Sequence, residues 1–267
     1  MELIGYIASV FIGISLGLIG GGGSILTVPV LVYLFGVDPV LATAYSLFIV
    51  GSTSLIGAIT KYKQGLINFK TAFIFAIPAV ATVIVTRSVL LPRIRANIFM
   101  VGNFTVTKGI LLMVIFATLM VFASISMIQG NGKAVSTKQS VQKPKYPQIF
   151  LQGAFVGFIT GLVGAGGGFL IIPALVIFSH LPMKKAVATS LLIITINSLT
   201  GFLGSLPHHE MDWGLLIIVT LLAIGGIFMG HGLSRKVPGE KLKKAFGWFV
   251  LVMGIYIIIK ELFINNM

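Results

Sequence analysis

The chain has 267 residues, of which 57% are apolar and only 9% charged, and its mean hydropathy is +1.06. Soluble domains carry roughly 25% charged residues, so a water-soluble globular fold is excluded; without cysteine, so are disulfides, thiolate metal sites and thiol chemistry. The formal charge of +13 comes mainly from Lys and Arg in short loops between apolar runs, which points to membrane topology and anionic lipid, not to nucleic acid.

Ten apolar segments follow in chain order, five per half. They cover 3–19, 25–36, 40–60, 69–91 and 101–128, then 148–163, 169–181, 186–204, 213–234 and 245–264. The first starts behind Glu2 with no basic residue ahead of it, so it is read as mature protein and not as a cleavable signal. Segments 25–36 and 169–181 are too short to cross alone, since spanning takes roughly 20 residues. Each follows a glycine run, and each is expected to be the return arm of a hairpin turned by that run. The remaining three segments of each half are full spans. Residues 129–147, polar and holding Lys133, Lys138, Lys143 and Lys145, form a linker between a first repeat (1–128) and a second (148–267).

The two halves are copies. Residues 17–29 read GLIGGGGSILTVP and residues 161–173 read GLVGAGGGFLIIP, and 17 of 41 positions are identical between 17–57 and 161–201. Lys61, Lys63 and Lys70 separate the third and fourth segments of the first half, where the second half has His208, His209, Glu210 and Asp212. Asp38 precedes the third segment of the first half, where the second half has Lys184 and Lys185. Opposite charge at equivalent loops is what inverted repeats give under the positive-inside rule. The expected fold class is an all-α membrane protein of two inverted-topology repeats, each a glycine-broken hairpin plus three transmembrane helices. Loops 61–70, 133–145, 184–185 and 235–244 then face the cytoplasm with 14 of the 19 basic residues, and both termini face outward. Arg87, Arg93 and Arg95 run against the rule in this arrangement.

The glycine runs are the first candidate site: Gly20, Gly21, Gly22 and Gly23 with Ser24 in one half, and Gly164, Gly166, Gly167 and Gly168 in the other. Glycines break a helix and let backbone approach closely. In lipid the freed N–H groups need a partner, and a half-helix starting after the break offers a positive dipole end suited to an oxyanion. Close packing is the alternative, as Gly13/Gly17 and Gly157/Gly161 at GxxxG spacing exemplify. The third segments add Ser46, Ser54, Ser190, Asn197 and Ser198. Ser46/Ser190 and Ser54/Ser198 recur in both copies, eight residues apart and so near one helix face. Such groups either coordinate an anion or bond between helices.

Several other readings carry less. Gly17 to Ser24 imitates a phosphate-binding loop, but Gly23 stands where its lysine belongs. Loose GxGxxG matches have no βαβ unit around them. His180 and His231 sit near segment ends, at positions that suit either interfacial placement or titration near neutral pH. The His208, His209, Glu210 loop has no second ligand cluster, so no metal is assigned, and no motif implies a cofactor. All six acids, Glu2, Asp38, Glu210, Asp212, Glu240 and Glu261, lie near segment ends or in loops. Proton- or sodium-coupled carriers keep a carboxylate within a span, and cation channels want acidic rings. A pathway of glycine breaks and hydroxyls with basic rims and no acid favours a small anion as cargo.

The paired motifs, each followed by a small-residue and serine stretch (ATAYSLFIVGSTSLIG and AVATSLLIITINSLTG), resemble the sulfite exporter TauE/SafE family of membrane permeases over nearly the whole chain. The resemblance implies transport of sulfite or organosulfonates such as sulfoacetate, commonly outward across the bacterial plasma membrane. Its partners are then a small anion and the bilayer, with no oligomeric state assigned. An anion-selective channel and an uptake permease are the competing functions. With no HExxH, carboxylate dyad or nucleophile elbow, catalysis is not expected.

Overall fold

The computed structural model describes residues 2–21, 23–101, 104–129, 146–179, 181–208, 210–233 and 239–263. Gly22, His180, His209 and nearly all of the expected linker lie outside the described residues.

The first hairpin is α1 (Glu2–Ile19) and α2 (Ser24–Tyr33). Gly20 ends α1 at φ 84°, a left-handed conformation that glycine adopts without strain. The chain then folds back. A Cβ on Gly23 would fall 2.5 Å from the Ile12 carbonyl oxygen, and Phe35 reaches Gly5 and Tyr6 near the start of α1. α3 (Pro39–Tyr62) opens with Asp38, whose carboxylate accepts from the Val40 and Leu41 N–H groups, and with Pro39 at the first helical position. α4 (Phe69–Val85) is capped by Asn68 and runs into a π-helical turn, Thr86–Leu90, and the short α5 (Leu91–Arg93).

A β-hairpin follows, β1 (Asn97–Val101) and β2 (Phe104–Thr107), antiparallel with Met100 opposite Thr105. The expected fifth segment of the first half therefore starts later, as α6 (Lys108–Gln129). The second half gives α7 (Tyr146–Val163), α8 (Gly168–Phe178), α9 (Met183–Leu203), α10 (Trp213–Leu233) and α11 (Gly239–Phe263). Among the described residues, five helices are long and apolar enough to cross a membrane: α3, α4 with its continuation to Arg93, α6, α9 and α10. Their outer faces carry exposed apolar side chains, such as Ile77 on α4 and Leu221 and Phe228 on α10, as a lipid-facing surface does.

The packing follows the duplication. An offset of 144 residues maps α1 onto α7 and α4 onto α10. α1 packs along α10 and α7 along α4, so the equivalent pairs are exchanged between halves. The contacts match atom for atom. A Cβ on Gly157 would lie 2.3 Å from the Ala79 carbonyl oxygen, and one on the equivalent Gly13 would lie 1.9 Å from that of the equivalent Ala223. The caps match too: the Asn68 N–H donates to Thr189 Oγ1 at 3.0 Å, and the equivalent Asp212 N–H donates to the Tyr45 hydroxyl. α3 and α9 are equivalents of each other and run antiparallel, with Gly51 beside Leu199, Gly57 beside Leu191 and Gly201 beside Leu47. α6 and α11 also pair antiparallel, through Gly254 beside Ala117 and Gly247 beside Met127.

In lipid there is no hydrophobic force between helices, so backbone approach through small residues carries much of the association. Gly157→Leu should therefore separate α7 from α4, because the Ala79 carbonyl it would strike is rigid backbone. The expected result is a loss of at least about 3 kcal/mol or of folded protein altogether, at or beyond the top of the range for overpacking. Gly225→Leu, facing open space, should melt within a few degrees of wild type in detergent. Equal melting temperatures for the two variants would refute this account.

Candidate functional site

The antiparallel register of α3 on α9 fixes which polar residues lie at the centre of their crossing. With Gly51 beside Leu199 and Gly57 beside Leu191, the crossing centres on Thr53 and its repeat equivalent Asn197. Ser54 and Ser198, the next equivalent pair, flank that centre. Ser54, Asn197 and Ser198 are all fully buried. Among the described residues neither hydroxyl has a hydrogen-bond partner, and both the amide nitrogen and the amide oxygen of Asn197 are unpaired. Buried polar atoms without partners are uncommon and costly, about 1–3 kcal/mol each, so a cluster at the pseudo-symmetry centre calls for a ligand or water.

The other expected site residues divide. Ser46 is buried and unpaired like the central group. Ser190, its equivalent, is not: its hydroxyl donates to the Val187 carbonyl at 2.8 Å. Ser24 likewise donates to the Gly21 carbonyl at 2.7 Å. Thr53 at the centre donates to Ile49. These local bonds are the ordinary use of hydroxyls in helices.

The glycine breaks meet each other. A Cβ on Gly21 would lie 2.4 Å from the Gly168 carbonyl oxygen, and one on Gly168 would lie 2.6 Å from the Gly21 Cα. The two main chains are therefore in van der Waals contact, and no anion fits between them in this conformation. Gly20 packs on Val187 of α9, and Gly164 on the equivalent Thr43 of α3. Gly166, at φ 66°, faces Val50 and the unpaired Ser198 hydroxyl, which a Cβ there would approach to 2.9 Å. Gly167, at φ 69°, caps α8, and no side chain caps either α8 or α2. Packing thus accounts for Gly20, Gly21, Gly23, Gly164, Gly166 and Gly168 as they stand, with Gly166 packed beside the unpaired Ser198 hydroxyl.

A cavity of about 60 Å³ lies to one side of that centre, lined by Gly17, Gly57, Thr60, Lys61 and Leu191 among others. It marks the α3 C-terminal end of the crossing. At the other end stands a residue of the fourth apolar segment that ran against the positive-inside rule. Arg87 is 1% exposed, held in the π-helical turn after α4. Its Nη1 donates to Thr43 Oγ1 at 2.9 Å and its Nη2 reaches the Thr43 carbonyl at 3.4 Å, while Nε has no acceptor. The apolar segment 69–91 already contained this arginine, but nothing in the sequence showed that its side chain turns inward to Thr43. Thr27 and Thr160, also buried and unpaired, were not singled out either. The acids at Asp38 and Asp212 serve as helix caps. Glu261 is near the end of α11 but buried, accepting from the Tyr33 hydroxyl at 2.8 Å.

A model of the sulfite exporter TauE/SafE family matches residues 6–257. A probable membrane transporter protein of Xylella fastidiosa (strain 9a5c) is 28% identical over 251 residues, covering 92% of this chain and 91% of its own. The probable membrane transporter protein YunE of Bacillus subtilis (strain 168) is 28% identical over 260 residues, with 92% and 93% covered. A similar protein of Methanocaldococcus jannaschii, MJ0441, also described as a probable membrane transporter protein, is 26% identical over 271 residues, with 96% and 94% covered. No solved structure matches the chain. The duplicated glycine hairpins, the exchanged helix pairs and a family match running almost from end to end agree: the chain belongs to the sulfite exporter TauE/SafE family.

Proposed function

We propose that the chain is a multi-pass carrier that exports a small sulfur-containing oxyanion, sulfite or an organosulfonate such as sulfoacetate, by alternating access of two inverted repeats. The observation that carries this reading is the buried, unpaired trio Ser54, Asn197 and Ser198 at the centre of the antiparallel crossing. Neutral donors at mid-depth, with no carboxylate among them, suit an anion. The contact between Gly21 and Gly168 closes the centre, which favours a gated carrier over an open anion channel. Rocking one hairpin away from the other frees the first-turn amides of α2 and α8 for the anion's oxygens, the arrangement seen where broken helices meet at the midplane of carriers. Antiparallel packing of the equivalents α3 and α9 supports the inverted topology.

Direction follows from charge. An inside-negative potential of 100 mV favours exit of one negative charge by about 2.3 kcal/mol, or roughly 50-fold in concentration, so outward uniport needs no coupling ion. The basic loops are assigned to the cytoplasm of a bacterial inner membrane and both termini to the outside. Arg87, being buried, is not an outer-loop charge, and Arg93 and Arg95 remain the exceptions. The cavity beside Lys61 then lies on the cytoplasmic approach.

Two measurements test this. In proteoliposomes, sulfite or sulfoacetate efflux should saturate with concentration and accelerate when the lumen is made negative; efflux indifferent to potential would overturn the uniport mechanism. Asn197→Leu should leave stability unchanged or raise it by about 1 kcal/mol, since it removes two unpaired buried atoms, yet lower oxyanion flux at least about ten-fold. A variant that is less stable but transports normally would make Asn197 a structural residue.

A further inference from the structure

Arg87 carries a charge into the protein interior, and no described carboxylate bonds to it. Among the described residues its guanidinium bonds only to Thr43, and that side chain is already committed, its hydroxyl donating to the Val40 carbonyl at 2.7 Å. The edge formed by Nε and Nη2 is the one left free: Nε has no acceptor and Nη2 has a single long contact. That edge is the pair of parallel donors that matches two oxygens of one oxyanion. Removing a cation from water costs several kcal/mol unless an anion joins it, so an uncompensated arginine inside a span reads as a ligand site.

Its position on the pathway is defined by Thr43. That residue packs against Gly164, the first glycine of the second break, and lies ten positions before the central Thr53, or about 15 Å along α3. Lys61, which lines the cavity, lies eight positions beyond Thr53, about 12 Å in the other direction. Gly204 at the end of α9 closes over the base of the Arg87 side chain. The π-helical turn that holds Arg87 is a distortion often found at functional positions. The device is not duplicated. The repeat equivalents of Thr43 and Arg87 are Val187 and His231, and valine has no hydroxyl to hold a guanidinium.

We propose that Arg87, held by Thr43 against the second glycine turn, is an anion-binding residue that takes the oxyanion at the end of the pathway opposite Lys61. The assignment rests on the reading of the chain as an oxyanion carrier and adds to it the residue that supplies the positive charge. The test uses the purified full chain, sulfite and sulfoacetate as probes, and chloride at equal ionic strength as the control, with melting temperature, dissociation constant and proteoliposome flux as readouts. Arg87→Met should melt at or above the wild-type temperature without anion, because a structural arginine would lower it, and its dissociation constant for the oxyanion should rise at least about ten-fold. Thr43→Val, which keeps the charge but releases the guanidinium, should fold and bind about ten-fold more weakly. It is read in place of Arg87→Met if that variant does not fold. Unchanged oxyanion binding in either variant, with wild-type flux intact, overturns the role of Arg87 and leaves the carrier reading standing. A wild-type protein that neither binds nor carries either anion overturns both.

Discussion

Close main-chain contact between helices, made possible where glycine replaces every larger residue, is the constraint on which the rest of this structure depends. Apolar side chains gain nothing by leaving lipid for another helix, so association comes from packing and from hydrogen bonds. Gly13 on Ala223, Gly157 on Ala79 and Gly21 on Gly168 bring backbones together at distances that no Cβ tolerates. These contacts fix the rotation and depth of each helix. They thereby set the antiparallel register of α3 on α9, and with it the level at which Ser54, Asn197 and Ser198 lie.

The polar interior is organised by exclusion. Hydroxyls that serve the fold bond to the carbonyl three or four residues back, as Thr53, Ser190 and Thr195 do. Among the described residues, those left unpaired include Ser46, Ser54, Thr160, Asn197, Ser198 and the Nε of Arg87 at the crossing and around the glycine turns, with Ser15, Thr27 and Ser179 elsewhere. A protein gains no stability from such groups. Their presence in a close-packed interior costs stability unless a ligand or water meets them.

The duplication gives near-symmetric walls, yet the chemistry at the two ends differs. The cap bonds of Asn68 and Asp212 are copied faithfully, as are the packing contacts of Gly20 and Gly164. Charge is not copied: Arg87 and Thr43 stand at one end, and Lys61 borders a cavity at the other.

The sequence by itself determined the membrane class, the apolar segments, the glycine-turned hairpins and the polar residues that a site could draw on. Length, hydropathy and a visible repeat are sufficient for those, because each is a local property of the chain. It misjudged the start of the 101–128 segment, where Val101 and Phe104–Thr107 pair as strand, since a short apolar run reads alike as strand or helix. Only the tertiary structure decided that Gly21 touches Gly168, that Ser190 is satisfied while Ser198 is not, and that Arg87 turns inward to Thr43. Helices apolar on every side carry no stripe to tell their inner face from their outer one. The facing residues emerge only from the close contact of partners far apart in the chain, which here means the crossing of two copies of one helix.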